Sequence, residues 1–151
     1  MKKTFLYEDH LSHGAKMVDF SGWSMPINYG SQIDEHHQVR NDVGIFDVSH
    51  MSIFKISGQN AESYLRYIFS NDVKKISSKN KALYGLLLNE SAGIIDDLIV
   101  YCLEGDFMIV SNCATKEKNE AWHRRHASEF DVSVEYIDNQ SILAVQGPNS
   151  L

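Results

Sequence analysis

Two adjacent carboxylates, Asp96 and Asp97, interrupt a segment that otherwise has the composition of a buried β-strand, residues 94–101. Side chains in a strand alternate between its two faces, so one carboxylate must share a face with apolar neighbours. Burying a charged carboxylate is costly unless hydrogen bonds or a ligand replace the lost water. We interpret Asp97, which shares a face with Tyr101, as the candidate catalytic residue. We expect it to point inward, toward a cavity.

A simpler interpretation of the same segment also fits the spacing. Residues 91–93, Ser-Ala-Gly, favour a hairpin turn immediately before the two acids. Both carboxylates would then lie at a strand end and contact water. The spacing alone leaves the two interpretations open.

Other ligand-type side chains are less favourably arranged. Residues 34–37 read Asp-Glu-His-His, but consecutive positions on a helix point in different directions, so we predict no metal site. Asp47 and His50 are spaced for a mutual hydrogen bond, which would either orient the imidazole for acid–base chemistry or fix a connector. The basic run 74–81 predicts an exposed loop or a contact with an anionic ligand.

Composition restricts the class of protein. With 151 residues, of which 43% are hydrophobic, the chain can form a packed core in one domain or two small ones. A net charge of −6 argues against nucleic-acid and anionic-membrane binding. No apolar run reaches the ~20 residues that span a bilayer, and no signal peptide is visible, so we predict a protein that stays where it is made. Cys102 and Cys113 suggest neither a disulfide framework nor a metal site.

The pattern of apolar residues predicts an alternation of strands and helices. Ser31 and Asn60 are typical N-terminal caps of helices, Gly44 is typical of a C-terminal cap, and Glu62 with Arg66 has the spacing of a helical ion pair. We predict strands at 16–22, 52–57, 82–89, 94–103, 107–111, 132–136 and 142–145, helices at 31–43, 60–70 and 115–130, hairpins at 90–93 and 104–106, a turn at 23–26 and a connector at 45–50.

The central order is therefore β-α-β-β-β-α-β. Strands joined partly by hairpins and partly by helices indicate an α+β fold, with an antiparallel or mixed sheet and helices on one face, in a split βαβ or ferredoxin-like plan. Residues 146–150 resemble the start of another helix, which predicts either that the polypeptide continues beyond Leu151 or that this segment is a frayed terminus.

Several motifs occur in order along the chain and together resemble one family. They are Gly-Ala-Lys-Met-Val-Asp-Phe-Ser-Gly-Trp at 14–23, Phe-Asp-Val-Ser-His-Met at 46–51, Gly-Ile-Ile-Asp-Asp-Leu-Ile-Val-Tyr at 93–101 and Gln-Gly-Pro at 146–148. They resemble the amino-terminal part of the glycine cleavage system T-protein, the aminomethyltransferase. Other folate-dependent proteins share parts of this pattern, among them the folate domains of dimethylglycine and sarcosine dehydrogenases and dimethylsulfoniopropionate demethylase.

This resemblance implies a transferase of glycine catabolism and one-carbon metabolism. Such an enzyme moves the one-carbon unit from the aminomethyl-lipoyl arm of H-protein to tetrahydrofolate and releases ammonia, in the cytoplasm or the mitochondrial matrix. The second Asp of the Ile-Asp-Asp motif is catalytic in the family, and it corresponds to Asp97. By the same resemblance the folate pocket is lined by Met51, Tyr84, Tyr101 and Asn112.

The resemblance also implies a domain organisation. Residues 1–50 would form the amino-terminal part of the first folate-binding domain, 51–140 the ferredoxin-like second domain, and 141–151 a return to the first. Family members are longer, with three domains around a folate channel, and the pterin-site residues that follow are not in this sequence. We therefore expect weak folate affinity and exposed apolar surface. The alternatives are a non-catalytic folate-binding or interaction module and a related folate-dependent demethylase.

Overall fold

The structure, a computed structural model, describes residues 1–78 and 80–151. The chain divides into two compact units. Unit 1 comprises Met1–His50 and Asn139–Leu151, and unit 2 comprises Met51–Asp138. The assignment of these units to particular domains of a folate enzyme stays a prediction.

Unit 2 is built on a five-stranded sheet in which every neighbouring pair is antiparallel. Its strands lie side by side in the order Ala82–Leu88, Ile94–Cys102, Phe107–Ser111, Ser52–Ser57 and Ser133–Ile137. This unit has the predicted β-α-β-β-β-α-β order, and the α+β fold class is confirmed. Its elements are β5 (Ser52–Ser57), α3 (Ala61–Ile68), a 3-10 helix (Val73–Ile76), β6 (Ala82–Leu88), β7 (Ile94–Cys102), β8 (Phe107–Ser111), a second 3-10 helix (Cys113–Thr115), α4 (Lys116–Phe130) and β9 (Ser133–Ile137).

The core of unit 2 lies between the two helices and one face of this sheet. Phe54, Val100 and Ile109 of the sheet belong to the same buried cluster as Tyr64 and Leu65 of α3. We call this side of the sheet the helix face and the other side the opposite face. Burial on the helix face is the main source of stability for the unit, because apolar side chains are removed from water there.

A bulge in β7 adds one residue, Ile95, to the side chains that reach the helix face. Leu87 of β6 pairs with Asp96, and Leu88 pairs with Ile94, so Ile95 is an extra residue in the ladder. Ile95 and Asp96 are consequently both buried, although strict alternation places them on different faces. Beyond the bulge the alternation is regular, and Asp97 lies on the opposite face.

Unit 1 contains two small sheets and two helices. One sheet contains, in this order, the strands Lys2–Lys3, Trp23–Asn28 and Lys16–Phe20. The other consists of Gly44–Asp47 paired antiparallel with Leu143–Gln146. The elements are β1 (Lys2–Lys3), α1 (Tyr7–Ser12), β2 (Lys16–Phe20), β3 (Trp23–Asn28), α2 (Gln32–Asn41), β4 (Gly44–Asp47) and β10 (Leu143–Gln146).

The predicted turn at 23–26 is wrong, because these residues belong to β3. The chain reverses at Ser21 and Gly22, whose φ angles of 52° and 82° are those that a tight two-residue hairpin loop requires. This loop brings Phe20 opposite Trp23. Pro26 is tolerated in the strand next to a register shift between Lys16 and Met17 of the partner strand.

The start of α2 confirms the prediction and its end corrects it. The Ser31 hydroxyl accepts a hydrogen bond from the Asp34 backbone N–H at 3.2 Å, as an N-terminal cap does. Gly44 is not a left-handed cap, since it is the first residue of β4. This strand continues into the segment predicted as a connector. Glycine is needed there because a Cβ would collide with the Val39 side chain.

Neither of the two local contacts predicted around α3 is formed. Arg66 donates to the Asp72 carboxylate at 2.9 Å and does not pair with Glu62. Asn60 precedes the helix, but its side chain makes no capping hydrogen bond. Part of the basic run lies in the first 3-10 helix, while Lys79 lies outside the described residues.

Helix α4 buries a histidine against α3. His123 and Tyr64 are both fully buried, and Nδ1 of His123 lies 2.8 Å from the Tyr64 hydroxyl oxygen. Burial lowers the pKa of His123 to about 4 and raises the pKa of Tyr64. The imidazole is therefore neutral in the folded protein at neutral pH.

This histidine predicts an acid-sensitive stability. Between pH 6.5 and about 4 the unfolded chain takes up a proton at His123 that the folded chain does not. The free energy of unfolding of unit 2 should therefore fall by about 2–3 kcal/mol between pH 7 and 4.5 from this residue. His123→Gln should remove that part of the loss, as measured by urea unfolding followed through NMR signals of β5 to β9. His37→Gln, on an exposed residue of α2, is the matched control, and an unchanged pH dependence in His123→Gln would contradict this account.

Candidate functional site

The buried carboxylate of the Asp-Asp pair is Asp96, which is 6% exposed on the helix face. Its Oδ2 accepts hydrogen bonds from the Thr115 hydroxyl at 2.6 Å and from the Asn119 side-chain amide at 2.6 Å. Burial alone would raise the pKa of Asp96, but hydrogen bonds from Thr115, Asn112 and Asn119 outweigh it and hold the pKa below its usual range. The carboxylate is thus compensated by protein donors.

Asp97 lies on the opposite face, and its side chain is exposed. The expectation that Asp97 points inward is therefore wrong, because Asp96 alternates with the buried Leu98 and Val100, and Asp97 faces away from the helices. One of the two acids is buried, as expected, and it is Asp96. The structure also excludes the alternative in which both acids are solvated.

Two predicted site residues contact Asp97. Asn112 follows β8, and its Nδ2 donates to Asp97 Oδ1 at 3.1 Å. Tyr84 of β6 is 59% exposed and lies beside Asp97, whose negative charge raises the pKa of Tyr84. Tyr84 pairs with Ile99, two residues from Asp97 on the same face, so the contact is a diagonal one between neighbouring strands.

Met51 and Tyr101 lie farther from this contact. Tyr101 is half-buried on the same face as Asp97, but four residues along β7 correspond to roughly 13 Å. Met51 is half-buried and directly precedes Ser52, which pairs with Ser111. The structure therefore groups Tyr84, Asp97 and Asn112 and leaves Met51 and Tyr101 farther from them.

Unit 1 contains a second polar cluster that the sequence did not reveal. Asp47 pairs with His10, whose Nε2 lies 2.8 Å from Asp47 Oδ2. Nδ1 of the same ring lies 2.6 Å from the Tyr29 hydroxyl oxygen. The predicted Asp47–His50 hydrogen bond is not formed, since Nδ1 of His50 is buried without a partner and the ring packs edge-on against Phe20.

The Asp47 cluster adjoins a cavity of unit 1. The cavity has a volume of about 270 Å³, and Tyr29, Glu35 and Asp47 are among the residues that line it. Burial alone would raise the pKa of Asp47, but hydrogen bonds from groups that include Ser49 and His10 hold it below its ordinary value. Because His10 precedes Asp47 by 37 positions, no local spacing in the sequence could have indicated this contact.

The described part of the chain contains neither a metal-binding cluster nor a membrane-spanning helix. In residues 1–78 and 80–151, no group of three or more His, Cys, Asp or Glu side chains is placed to hold a metal ion. In the same residues, no helix is long and apolar enough to cross a membrane.

The protein is thus of the α+β class, with an antiparallel sheet that carries one buried and one exposed aspartate. Comparison with known proteins assigns this fold to a family. Residues 6–151 match the family model of the GCVT N-terminal domain, and the chain belongs to this family. The chain is similar to the glycine cleavage system aminomethyltransferase T from Bartonella henselae, whose crystal structure it matches with 36% sequence identity and a TM-score of 0.91. The match covers 99% of this chain and 41% of that one. The resemblance drawn from the motifs is thus confirmed at the level of the family.

Substitutions on the two faces of β7 should change the free energy of unfolding by different amounts. Thr115→Val removes a 2.6 Å hydrogen bond to the buried Asp96 carboxylate. We expect it to lower the free energy of unfolding by about 1.5–3 kcal/mol, as the loss of a hydrogen bond to a charged group does. Asp97→Asn, on the exposed side, should change it by no more than about 0.5 kcal/mol. Urea unfolding measures both, and equal effects would contradict the assignment of the two acids to different faces.

Proposed function

We propose that this chain is the amino-terminal portion of a tetrahydrofolate-dependent aminomethyltransferase of the glycine cleavage system. The complete enzyme would move the one-carbon unit from aminomethyl-lipoyl H-protein to tetrahydrofolate with release of ammonia. Membership in the GCVT N-terminal family supports this proposal. The observation that carries it is an exposed carboxylate, Asp97, which accepts a hydrogen bond from Asn112 and lies beside Tyr84 on one face of the sheet.

The residues on this face fit a reduced folate. Asp97 and the side-chain oxygen of Asn112 are hydrogen-bond acceptors, and a reduced pterin carries N–H donors along its edge. The Tyr84 ring is 59% exposed beside them, and the half-buried Tyr101 shares the face, so both offer aromatic surface for the flat parts of the ligand. Bound tetrahydrofolate would supply N5 and N10, the nitrogens that accept the one-carbon unit.

Asp97 has the electrostatic properties that the transfer step needs. Positive charge develops on the one-carbon group as its bond to the departing amine breaks, and a fixed carboxylate stabilises that charge. Preorganisation matters, because a group that is already oriented need not be reordered during the reaction. Removal of such a transition-state partner costs about 3 kcal/mol in comparable sites.

Asp97→Asn tests the role of this carboxylate. It preserves shape but removes the negative charge, so we expect ammonia release from aminomethyl-lipoyl H-protein in the presence of tetrahydrofolate to fall about 100-fold or more. The assay is run with the chain alone and with the carboxy-terminal part of a family member supplied as a second polypeptide. Glu135→Gln, which changes an exposed carboxylate on β9 of the same sheet, should leave the rate unchanged.

Calorimetric titration with tetrahydrofolate separates binding from catalysis. The proposal predicts that Asp97→Asn loses far more turnover than affinity. Wild-type turnover in Asp97→Asn would show that the chain binds folate without using this carboxylate, as a non-catalytic module would. Absence of tetrahydrofolate binding, both alone and with the second polypeptide, would contradict the proposed function.

A further inference from the structure

One side-chain amide joins the two aspartates. Nδ2 of Asn112 donates to Asp96 Oδ1 at 2.8 Å and to Asp97 Oδ1 at 3.1 Å. We propose that Asp96 is a positioning residue, which fixes the orientation of Asn112 and, through Asn112, that of Asp97. This inference rests on the proposed function for the role of Asp97 and adds the device that holds it in place.

The hydrogen bonds determine which way the Asn112 amide is turned. A side-chain amide has two N–H donors on its nitrogen and only acceptor sites on its oxygen. Since both carboxylates accept and neither can donate when ionised, the nitrogen of Asn112 must face them. The Asn112 oxygen is consequently directed away from the two carboxylates.

Asp96 can hold Asn112 in this way because it is itself fixed. Its second oxygen, Oδ2, accepts from Thr115 at 2.6 Å, from Asn119 at 2.6 Å and from the backbone N–H of Asn112 at 3.3 Å. These donors come from the end of β8, the second 3-10 helix and α4, so the carboxylate is anchored to three successive parts of the chain. An exposed aspartate in its place would be free to rotate.

The fixed orientation has a consequence for ligand specificity. With its N–H groups occupied by carboxylates, Asn112 offers a ligand only its oxygen, next to the Asp97 carboxylate. Two neighbouring acceptors favour a ligand edge that carries N–H donors and disfavour one that carries carbonyl oxygens. Asp96 thus sets the polarity of the site from the buried face without contacting the ligand.

Amide hydrogen exchange tests the positioning without any ligand. In the wild-type chain, the side-chain amide protons of Asn112 should exchange at least 10-fold more slowly than those of Asn139, which is exposed. In Asp96→Asn this protection should be lost. Equal exchange of Asn112 and Asn139 in the wild type, which requires no variant to fold, would overturn the inference, as would full protection of Asn112 in Asp96→Asn.

A double-mutant cycle tests whether Asp96 acts through Asn112. We expect Asp96→Asn and Asn112→Ala each to weaken tetrahydrofolate binding about 10-fold, and the double variant to weaken it about 10-fold rather than 100-fold. A merely structural role of Asp96 would give additive losses, and that result would overturn the inference. Glu135→Gln, which changes an exposed carboxylate on β9 of the same sheet, is the control and should change affinity less than twofold.

The two experiments also separate this inference from the proposed function. Loss of Asn112 protection in Asp96→Asn supports the positioning role whether or not tetrahydrofolate binds. Failure of the wild-type chain to bind tetrahydrofolate, alone and with the second polypeptide, counts against the proposed function, and unchanged Asn112 exchange counts against the positioning role.

Discussion

The site depends on one constraint, which is that the charge of Asp96 must be compensated inside the apolar layer between sheet and helices. An isolated ion in such a place would cost several kcal/mol or lose its charge. Here Thr115, Asn119 and Asn112 supply the missing hydrogen bonds at 2.6, 2.6 and 2.8 Å. These donors follow β8 or lie at the start of α4. The hydrogen bonds to the carboxylate therefore form only when that part of the chain is folded around it.

The same arrangement explains why two adjacent aspartates have different environments. The alternation of the strand directs Asp96, with Leu98 and Val100, to the helix face and Asp97 to the opposite face, and the bulge adds Ile95 to the buried side. Asn112 contacts both acids and so couples the buried hydrogen-bond network to the exposed carboxylate. A rigid, buried network behind an exposed group is the usual way in which proteins hold a functional side chain in one orientation.

Much of the fold followed from periodicity and turn chemistry. The order of elements in unit 2, its two hairpins and the Ser31 cap are local features, and local residue types determine them. The identity of the buried acid was not predictable in this way, because both faces of β7 carry apolar residues and the alternation alone does not show which face packs against the helices. The His10–Asp47 pair was missed for a related reason, since it joins residues 37 positions apart. Residues 23–26 were misassigned because Pro26 suggested a turn, whereas Ser21 and Gly22 make it.

The most direct test of the central claim is a map of the NMR chemical shifts that change when tetrahydrofolate is added to the isotopically labelled chain. The account predicts that the largest changes occur at Tyr84, Asp97 and Asn112, which are in contact on the opposite face of the sheet. Changes confined to unit 1, such as at Tyr29 and Phe46 beside its cavity, would contradict it, because the ligand would then bind away from the Asp97 carboxylate.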